Sequence, residues 1–272
     1  MTTDRRPRAE GAGAPSARAS GTETIAADAQ LAARAARAAG AALLERFSKR
    51  PSGVRAKGDP RELVSDADLE ADHVIRALLA DARPRDAILT EEAPQSPGAS
   101  GRRWIVDPLD GTTNYLTGLP YWCVSIALED AAGPLLGTIY DPLRDELFAG
   151  GRGLALTVNG APAGVRAVAS LAQALLAVHL SPRAIGLPEV VAVLDRALGV
   201  RETGSTALDL AWVAAGRLDG CLLRRTASVW DWAAGFELVK AGGGVVAPVP
   251  LPVSQATIAA SPAVAHDIGG QP

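Results

Sequence analysis

Residues 104–114 read Trp-Ile-Val-Asp-Pro-Leu-Asp-Gly-Thr-Thr-Asn, an apolar run followed by two aspartates and a polar turn. The apolar start predicts a strand with Asp107 at its end. Because Pro108 fixes one backbone angle and has no N–H, we expect the strand to stop there. Gly111 allows the backbone to approach a ligand closely. The amides of Gly111 and Thr112, at the start of a helix or turn, suit a phosphate group.

The two aspartates of this segment indicate a metal site. Asp107 and Asp110 repel each other at this spacing unless a cation lies between them. Carboxylate oxygens favour Mg²⁺ or Mn²⁺ over zinc, and Mg²⁺ completes its shell with water and substrate phosphate, as in a phosphatase. Asp-Pro and Asp-Gly alone are common turn pairs. The complete string of strand, two aspartates and Gly-Thr-Thr-Asn favours the metal site.

Further acidic residues could complete such a site, and each has a purely structural alternative. Glu91 and Glu92 end a short apolar strand, where carboxylates are commonly solvated. Asp231 precedes a helix and would serve as its N-cap. Asp68 follows Ser65 by three residues, which is the spacing of a capping box. Taken singly, each of these residues favours the structural interpretation.

The composition is that of an ordinary globular protein. The 272 residues are 48% hydrophobic and 21% charged, enough for one large domain or two small ones. The net charge of −3 predicts no nucleic-acid partner. No apolar run reaches the roughly 20 residues that span a bilayer, so we expect no membrane partner.

The cysteines and histidines indicate a reduced compartment and no zinc. Cys123 and Cys221 are far apart in sequence, so we expect no disulfide framework and a cytoplasmic location. His73, His179 and His266 show no metal-ligand spacing and are interpreted as structural or surface residues.

The order of helices and strands predicts a layered α/β or α+β fold. Residues 1–23 lack apolar periodicity and are predicted to be a disordered tail, followed by one domain over 24–272. A long helix is expected over 24–49, closed by Pro51, and a second from Ser65. Strands are predicted at 88–90, 104–106, 122–128, 135–140, 146–149, 175–180, 218–223, 245–246 and 256–260, and helices at 188–198, 206–215 and 232–241.

Five separated segments together resemble the inositol monophosphatase family, part of the lithium-sensitive, metal-dependent phosphatase superfamily. They are residues 62–68, 90–93, 104–114, 204–209 and 230–243. The resemblance spans residues 24–265. It implies a layered αβαβα sandwich of the sugar-phosphatase type, assembled as a homodimer.

By this resemblance, five residues would hold the metal ions. Glu91, Asp107 and the carbonyl of Leu109 would bind a first Mg²⁺, and Asp107, Asp110 and Asp231 a second. Glu91 would also reach a third, more weakly bound ion. The implied reaction is in-line attack of a metal-activated water on phosphorus, without a covalent phosphoenzyme.

The resemblance also implies roles for residues around the metals. Thr112 and Asp68 would orient the attacking water, the amides of Gly111 and Thr112 would bind phosphate, and Lys57 would lie near the ions. The implied substrate contacts are Asp110, Gly204, Ser205, Thr206, Arg224 and Asp231.

Three positions depart from the family pattern. Thr90 replaces a glycine, Lys240 replaces a glutamate, and Arg224 replaces a glutamate that contacts substrate hydroxyls in inositol-specific members. Because an arginine cannot accept hydrogen bonds, Arg224 favours a substrate with an additional anionic group, unless its side chain simply points away. Every implied metal ligand is present, so the departures bear on the identity of the substrate.

The predicted activity is hydrolysis of a small phosphorylated metabolite, with inositol 1-phosphate or a related sugar or cyclitol phosphate first. Fructose 1,6-bisphosphate, histidinol phosphate and 3′-phosphoadenosine nucleotides are the alternative substrates. A haloacid dehalogenase-type phosphatase is disfavoured, because its two aspartates are separated by one residue and Asp107 and Asp110 by two. The alternative of another class is a regulatory binding protein that retains the fold.

Overall fold

The computed structural model describes residues 16–47, 52–57, 63–225 and 228–269, with side chains from residue 24 onward. The first helix, α1, spans Ser16–Phe47. It begins inside the range 1–23 that the sequence predicts as a tail, where alanine and arginine favour a helix even without an apolar stripe. Residues 1–15, the predicted helix end at 48–51 and residue 62 of the first resembling segment lie outside the described residues.

Helix α2 (Asp66–Ala82) begins at the predicted capping box. The Ala67 amide donates to Ser65 Oγ, and the Ser65 amide donates to Asp68 Oδ2 over 2.8 Å. This reciprocal pattern satisfies two amides at the helix start. Helices α1 and α2 pack together through one apolar stripe, whose buried members include Ala32, Ala36, Leu43, Ala71, Ile75 and Leu79.

The larger sheet has seven strands that are neighbours in chain order. A short hairpin of β1 (Arg55–Ala56) and β2 (Leu63–Val64) precedes it. The seven strands are β3 (Ala87–Thr90), β4 (Arg103–Asp110), β5 (Cys123–Asp130), β6 (Gly133–Asp141), β7 (Glu146–Gly151), β8 (Leu154–Val158) and β9 (Ala161–Pro162). Strand β3 is parallel to β4, and all later neighbours are antiparallel. The short strands β8 and β9 were not predicted.

Strand β4 does not stop at Pro108, contrary to the prediction. It continues to Asp110, which pairs with Cys123 of β5, while Asp107 pairs with Ser125. The register shifts between the two aspartates, and this irregularity accommodates a proline that cannot donate to the ladder. Both aspartates therefore belong to one buried strand rather than to a strand and a loop.

The smaller sheet has five strands in the order β11-β10-β12-β14-β13. Its strands are β10 (Leu175–His179), β11 (Gly199–Arg201), β12 (Gly220–Arg224), β13 (Val245–Pro248) and β14 (Ala256–Ala260). The remaining helices are α3 (Thr112–Thr117), α4 (Pro182–Ile185), α5 (Pro188–Leu194), α6 (Thr206–Ala214), α7 (Ala233–Ala241) and α8 (Pro262–Asp267), with 3₁₀ turns at Leu171–Gln173 and Val229–Asp231. Helix α5 is shorter than predicted, because the chain after it enters strand β11.

These elements stack in five layers. Helices α1 and α2 cover one face of the larger sheet, and α6 and α7 cover the other. Helices α6 and α7 also contact the smaller sheet, whose far face is covered by α5 and α8. The predicted αβαβα sandwich is confirmed. Among the described residues, no helix combines the length and apolar character needed to cross a membrane.

A close backbone approach joins the larger sheet to helix α7. A Cβ placed on Gly137 of β6 would lie 2.2 Å from the carbonyl oxygen of Ala234. Only a residue without a side chain fits this contact. The contact holds the first turn of α7 against the sheet and thereby positions Asp231, which lies just before the helix.

Candidate metal centre

Three aspartates converge where strand β4 meets the start of helix α7. Carboxylate oxygens of Asp107, Asp110 and Asp231 lie within 4.8 Å of one another. Asp107 and Asp110 come from β4, and Asp231 closes the 3₁₀ turn before α7. They line a cavity of about 190 Å³, together with Leu63, Glu91, Leu109, Gly111, Thr112, Thr113 and Gly204. The structure therefore brings together all five predicted metal-binding residues and the predicted phosphate-binding segment.

The electrostatics of this cluster fit a bound cation. Burial, followed by the charges of Glu91, Asp110 and Asp231, raises the pKa of Asp107 well above its usual value. Burial also raises the pKa of Asp231 to about 8 and that of Asp110 to about 6. Carboxylates that disfavour each other's charge are compensated by a divalent ion, and their hard oxygen atoms suit Mg²⁺ or Mn²⁺. The donor set thus fits the metal predicted from the sequence.

Asp110 is held from behind by the start of helix α6. Its Oδ2 atom accepts hydrogen bonds from Ser205 Oγ over 2.5 Å and from the Ala207 amide over 2.8 Å. Ser205 is completely buried. It lines neither the metal cavity nor the second cavity that adjoins it at Asp231. The Ser205 hydroxyl, which was predicted to contact the substrate, donates to the carboxylate of Asp110 in this structure. Oδ1 of Asp110 accepts no hydrogen bond from the described residues.

Asp68 and Thr112 form a hydrogen-bonded pair at the edge of the cluster. Thr112 Oγ1 lies 3.1 Å from Asp68 Oδ1 and 3.0 Å from the carbonyl oxygen of Leu109, and it can donate to one of them at a time. The other carboxylate oxygen of Asp68 forms the capping box with Ser65. The structural and catalytic interpretations of Asp68 are therefore compatible, since each uses a different oxygen.

Gly111 turns the chain from β4 into α3. Its φ of 95° lies in the left-handed region, and an added Cβ would lie 3.1 Å from the carbonyl oxygen of Tyr121. Glycine is therefore required here by both conformation and space. The turn places Gly111 and Thr112 on the wall of the metal cavity.

Lys57 lies beside the acidic cluster through Glu91. Its Nζ donates to Glu91 Oε1 over 2.7 Å and to Glu92 Oε1 over 2.5 Å. Burial alone would lower the Lys57 pKa, but hydrogen bonds to two carboxylates raise it above its usual value. Glu91 therefore faces the lysine on one side and the aspartates on the other.

A second cavity, of about 230 Å³, adjoins the metal cavity at Asp231. Its other lining residues are His179, Ser181, Thr206, Leu223, Arg224 and Trp232. Two predicted substrate contacts, Thr206 and Arg224, are thus found here, whereas Gly204 lines the metal cavity. The sequence interpretation of His179 as a structural or surface residue missed its place on this wall. No sequence spacing relates His179 to Asp231, since the two lie on separate elements.

Comparison with known proteins agrees with the geometry. The family model described as "Inositol monophosphatase family" matches residues 26–265. The inositol-1-monophosphatase of Rhizobium meliloti is 41% identical over 197 residues, which cover 70% of this chain and 73% of that protein. Nus factor SuhB of Xylella fastidiosa is 40% identical over 221 residues, which cover 78% of each protein.

A solved structure shows the same fold. The crystal structure of extragenic suppressor protein SuhB from Bartonella henselae matches with a TM-score of 0.80 and 36% identity, over 87% of this chain and 94% of that one. The family match covers nearly the whole described domain and includes every residue of the acidic cluster. The chain belongs to the inositol monophosphatase family of phosphatases, which hydrolyse phosphomonoesters.

Proposed function

We propose that this phosphatase hydrolyses a small phosphorylated sugar or cyclitol, with inositol 1-phosphate as the first candidate, and that it requires Mg²⁺. The observation that supports this most directly is the convergence of Asp107, Asp110 and Asp231 within 4.8 Å beside Thr112. The name of the Rhizobium meliloti relative supports the choice of inositol 1-phosphate as the first substrate to test. Fructose 1,6-bisphosphate, histidinol phosphate and 3′-phosphoadenosine nucleotides remain the alternatives.

We assign two or three metal ions to the cluster, with Mn²⁺ as a possible substitute for Mg²⁺. Glu91, Asp107 and the carbonyl of Leu109 would hold one ion, and Asp107, Asp110 and Asp231 a second. Glu91 alone would offer a weaker third position. Bound there, the ions would supply charge neutralisation for the phosphoryl oxygens and acidification of a water molecule.

The protein's own part in the reaction is to position the water and the phosphate. When Thr112 donates to Asp68, its hydroxyl oxygen can accept a hydrogen bond from the attacking water and so fix its direction. Asp68 would accept the proton that passes through this pair. The amides of Gly111 and Thr112, on the wall of the same cavity, would bind the phosphate oxygens. No covalent phosphoenzyme is part of the proposal.

The proposed setting is a homodimer in the cytoplasm that acts on small molecules, without nucleic-acid or membrane partners. Cys123 and Cys221 are both buried and free, which supports a reducing compartment. Size-exclusion chromatography with light scattering would test the dimer.

Phosphate release from a panel of substrates tests the activity. The panel contains inositol, sugar, amino-alcohol and nucleotide phosphates, each with Mg²⁺, with Mn²⁺, with Mg²⁺ plus Li⁺, and with EDTA. We expect release that requires Mg²⁺ or Mn²⁺, stops with EDTA and decreases with Li⁺. The Asp107→Asn variant should abolish release while the protein remains folded by circular dichroism. Full turnover by this variant would contradict the metal assignment.

A second candidate function is that of a regulatory binding protein. It is favoured by one observation, that relatives such as the 40%-identical Xylella fastidiosa protein are called Nus factor SuhB. The same panel separates the two functions. Release from no substrate of any class, with a folded protein and Mg²⁺ present, would favour the binding function.

A further inference from the structure

The cavity beside the metal centre is positioned to hold the alcohol portion of the substrate. It shares Asp231 with the metal cavity, so a phosphate at the metals would project its ester group toward this space. The metal cavity is lined mainly by carboxylates and backbone groups. The adjoining wall is different: apart from Asp231, its polar side chains in the described part of the chain are His179, Ser181, Thr206 and Arg224.

A buried network fixes His179 on this wall. Its Nε2 lies 2.7 Å from Asp209 Oδ2, and Asp209 has no exposed surface. Asp209 also accepts hydrogen bonds from the hydroxyls of Tyr121 and Thr203, each over 2.5 Å. Because a carboxylate accepts, Nε2 holds a hydrogen and Nδ1 is the ring nitrogen that no described residue engages. The imidazole is therefore held in one orientation by residues from three other segments.

Arg224 provides a cation on the same wall. It ends strand β12, its side chain is exposed, and its guanidinium forms no hydrogen bond or ion pair with the described residues. Among the described residues that line this cavity, Asp231 is the one carboxylate, and the proposed metal would bind it. A guanidinium is always charged and matches the geometry of a carboxylate or phosphate. The remaining polar groups, the hydroxyls of Ser181 and Thr206, can donate hydrogen bonds as well.

We propose that Arg224 binds a second anionic group, a phosphate or a carboxylate, on the alcohol portion of the substrate, while Nδ1 of His179 accepts a hydrogen bond from a hydroxyl group of that portion. Arg224 thereby selects substrates with two anionic groups over those with one, so that among the proposed substrates fructose 1,6-bisphosphate is preferred to inositol 1-phosphate. Asp209 is a positioning residue that acts through His179. Trp232 offers an apolar surface for the carbon skeleton between the two anions. This inference rests on the proposed phosphatase function, because it assigns the leaving-group side of that site.

Matched pairs of phosphomonoesters test the selection. The first pair is 2-phosphoglycerate and glycerol 2-phosphate, which differ by a carboxylate. The second is fructose 1,6-bisphosphate and fructose 1-phosphate, which differ by a phosphate. The measurement is kcat/KM for release from each compound with Mg²⁺, expressed as the ratio of the two-anion to the one-anion member. We expect a ratio of about ten or more in at least one pair, since a charge-assisted hydrogen bond contributes a factor of this size.

Variants then assign the selection to residues. Arg224→Gln should lower the ratio about tenfold, mainly through KM, and Arg224→Lys should restore part of it. His179→Gln and Asp209→Asn should lower kcat/KM for both members of a pair without changing the ratio, because the Nδ1 acceptor does not distinguish one anionic group from two. Arg201→Gln is the matched control: this exposed arginine of β11 bonds to its own neighbour's carbonyl and lies outside the cavity, so the ratio should not change. A merely structural effect would alter both members of a pair equally and would cancel in the ratio.

The outcomes separate this inference from the proposed function. Release from all four compounds, with ratios near one or ratios that Arg224→Gln leaves unchanged, would overturn the second-anion site and leave the phosphatase intact. If Arg224→Gln abolishes the selectivity only between 2-phosphoglycerate and glycerol 2-phosphate, the second anionic group is a carboxylate. If it abolishes the selectivity only between fructose 1,6-bisphosphate and fructose 1-phosphate, the second group is a phosphate. If phosphate is released neither from these four compounds nor from any inositol phosphate, the proposed function is overturned together with this inference.

Discussion

Ser205 Oγ donates a hydrogen bond to Asp110 Oδ2 over 2.5 Å, from a position with no exposed surface. The Ala207 amide donates to the same oxygen over 2.8 Å. One oxygen of Asp110 is thus held by the start of α6, and no described residue donates a hydrogen bond to the other. This arrangement joins the second half of the chain to a proposed metal ligand supplied by the first half, so the orientation of Asp110 depends on how the middle helices pack.

Ser205→Ala should weaken metal binding. Loss of a partner that orients a metal-ligating carboxylate lowers metal affinity by about 10- to 100-fold. The measurement is the Mg²⁺ concentration for half-maximal phosphate release, together with a calorimetric Mg²⁺ titration. Ser261→Ala is the matched control, because Ser261 is equally buried and its hydroxyl has no partner among the described residues. An unchanged Mg²⁺ requirement in Ser205→Ala would contradict the positioning role.

Thr112→Ala and Asp68→Ala should differ in stability although both lose activity. Each removes half of the pair that orients the water, so we expect kcat to fall by roughly 100-fold or more. Asp68→Ala also removes the capping box and should cost about 1 kcal/mol of unfolding free energy. Phosphate release and urea denaturation measure the two effects. Thr112→Ser retains the hydroxyl and should keep most of the activity. If it does not, the loss of the hydrogen bond to Asp68 does not explain the low activity of Thr112→Ala.

Without metal, the protein should become less stable as pH rises from 5 to 8. The folded-state pKa values of Asp231, about 8, and of Asp110, about 6, both lie above the ordinary value of 3.8. The folded protein therefore binds more protons than the unfolded chain in this range, and its unfolding free energy decreases with pH. Urea denaturation at several pH values with EDTA measures the decrease.

Two comparisons make this pH effect specific to the cluster. Saturating Mg²⁺ should reduce the decrease, because the ion compensates the ionised carboxylates. Asp231→Asn should reduce it in EDTA by removing one titrating group. A stability that rises with pH in EDTA would show that the aspartates do not repel one another as the structure indicates.

Gly137→Ala should destabilise the whole domain. The new methyl group would lie 2.2 Å from the carbonyl oxygen of Ala234 and would push α7 away from β6. Overpacking of this kind costs typically about 1–3 kcal/mol. Gly186→Ala is the control, because its added methyl meets nothing closer than 3.6 Å and should be neutral or slightly stabilising. Thermal unfolding of both variants measures the difference, and equal melting temperatures would contradict the proposed contact.

Local signals predicted a large part of this structure. The capping box at Ser65 and the strand before Thr90 depend on interactions between residues that are close in sequence. The strand formed by the apolar run before Asp107 also depends on residues that are close in sequence. Asp107 and Asp110 were predicted as metal ligands because two carboxylates at this spacing repel each other unless a cation lies between them, whereas the metal role of Asp231 was implied only by the family resemblance. Helix α1 begins at Ser16, inside the predicted tail, because helix propensity does not require an apolar stripe.

Other features depended on which elements become neighbours. The continuation of β4 past Pro108 follows from pairing with β5, which compensates for the missing proline N–H by a shift in register. The hydrogen bond from Ser205 to Asp110 was not predicted, since it forms only because α6 begins directly behind β4. His179 gave no local signal, since its partner Asp209 lies on another element.

The sequence by itself therefore determined which carboxylates the candidate metal centre contains, because residue type and short-range spacing specify which groups end each strand or begin each helix. The tertiary structure decided what surrounds that centre. Only the stacking of the smaller sheet on α6 and α7 places Ser205 behind Asp110 and brings His179 and Arg224 to the cavity beside Asp231. The physical reason is that hydrophobic packing, which acts over the whole chain and without direction, selects the neighbours of each element.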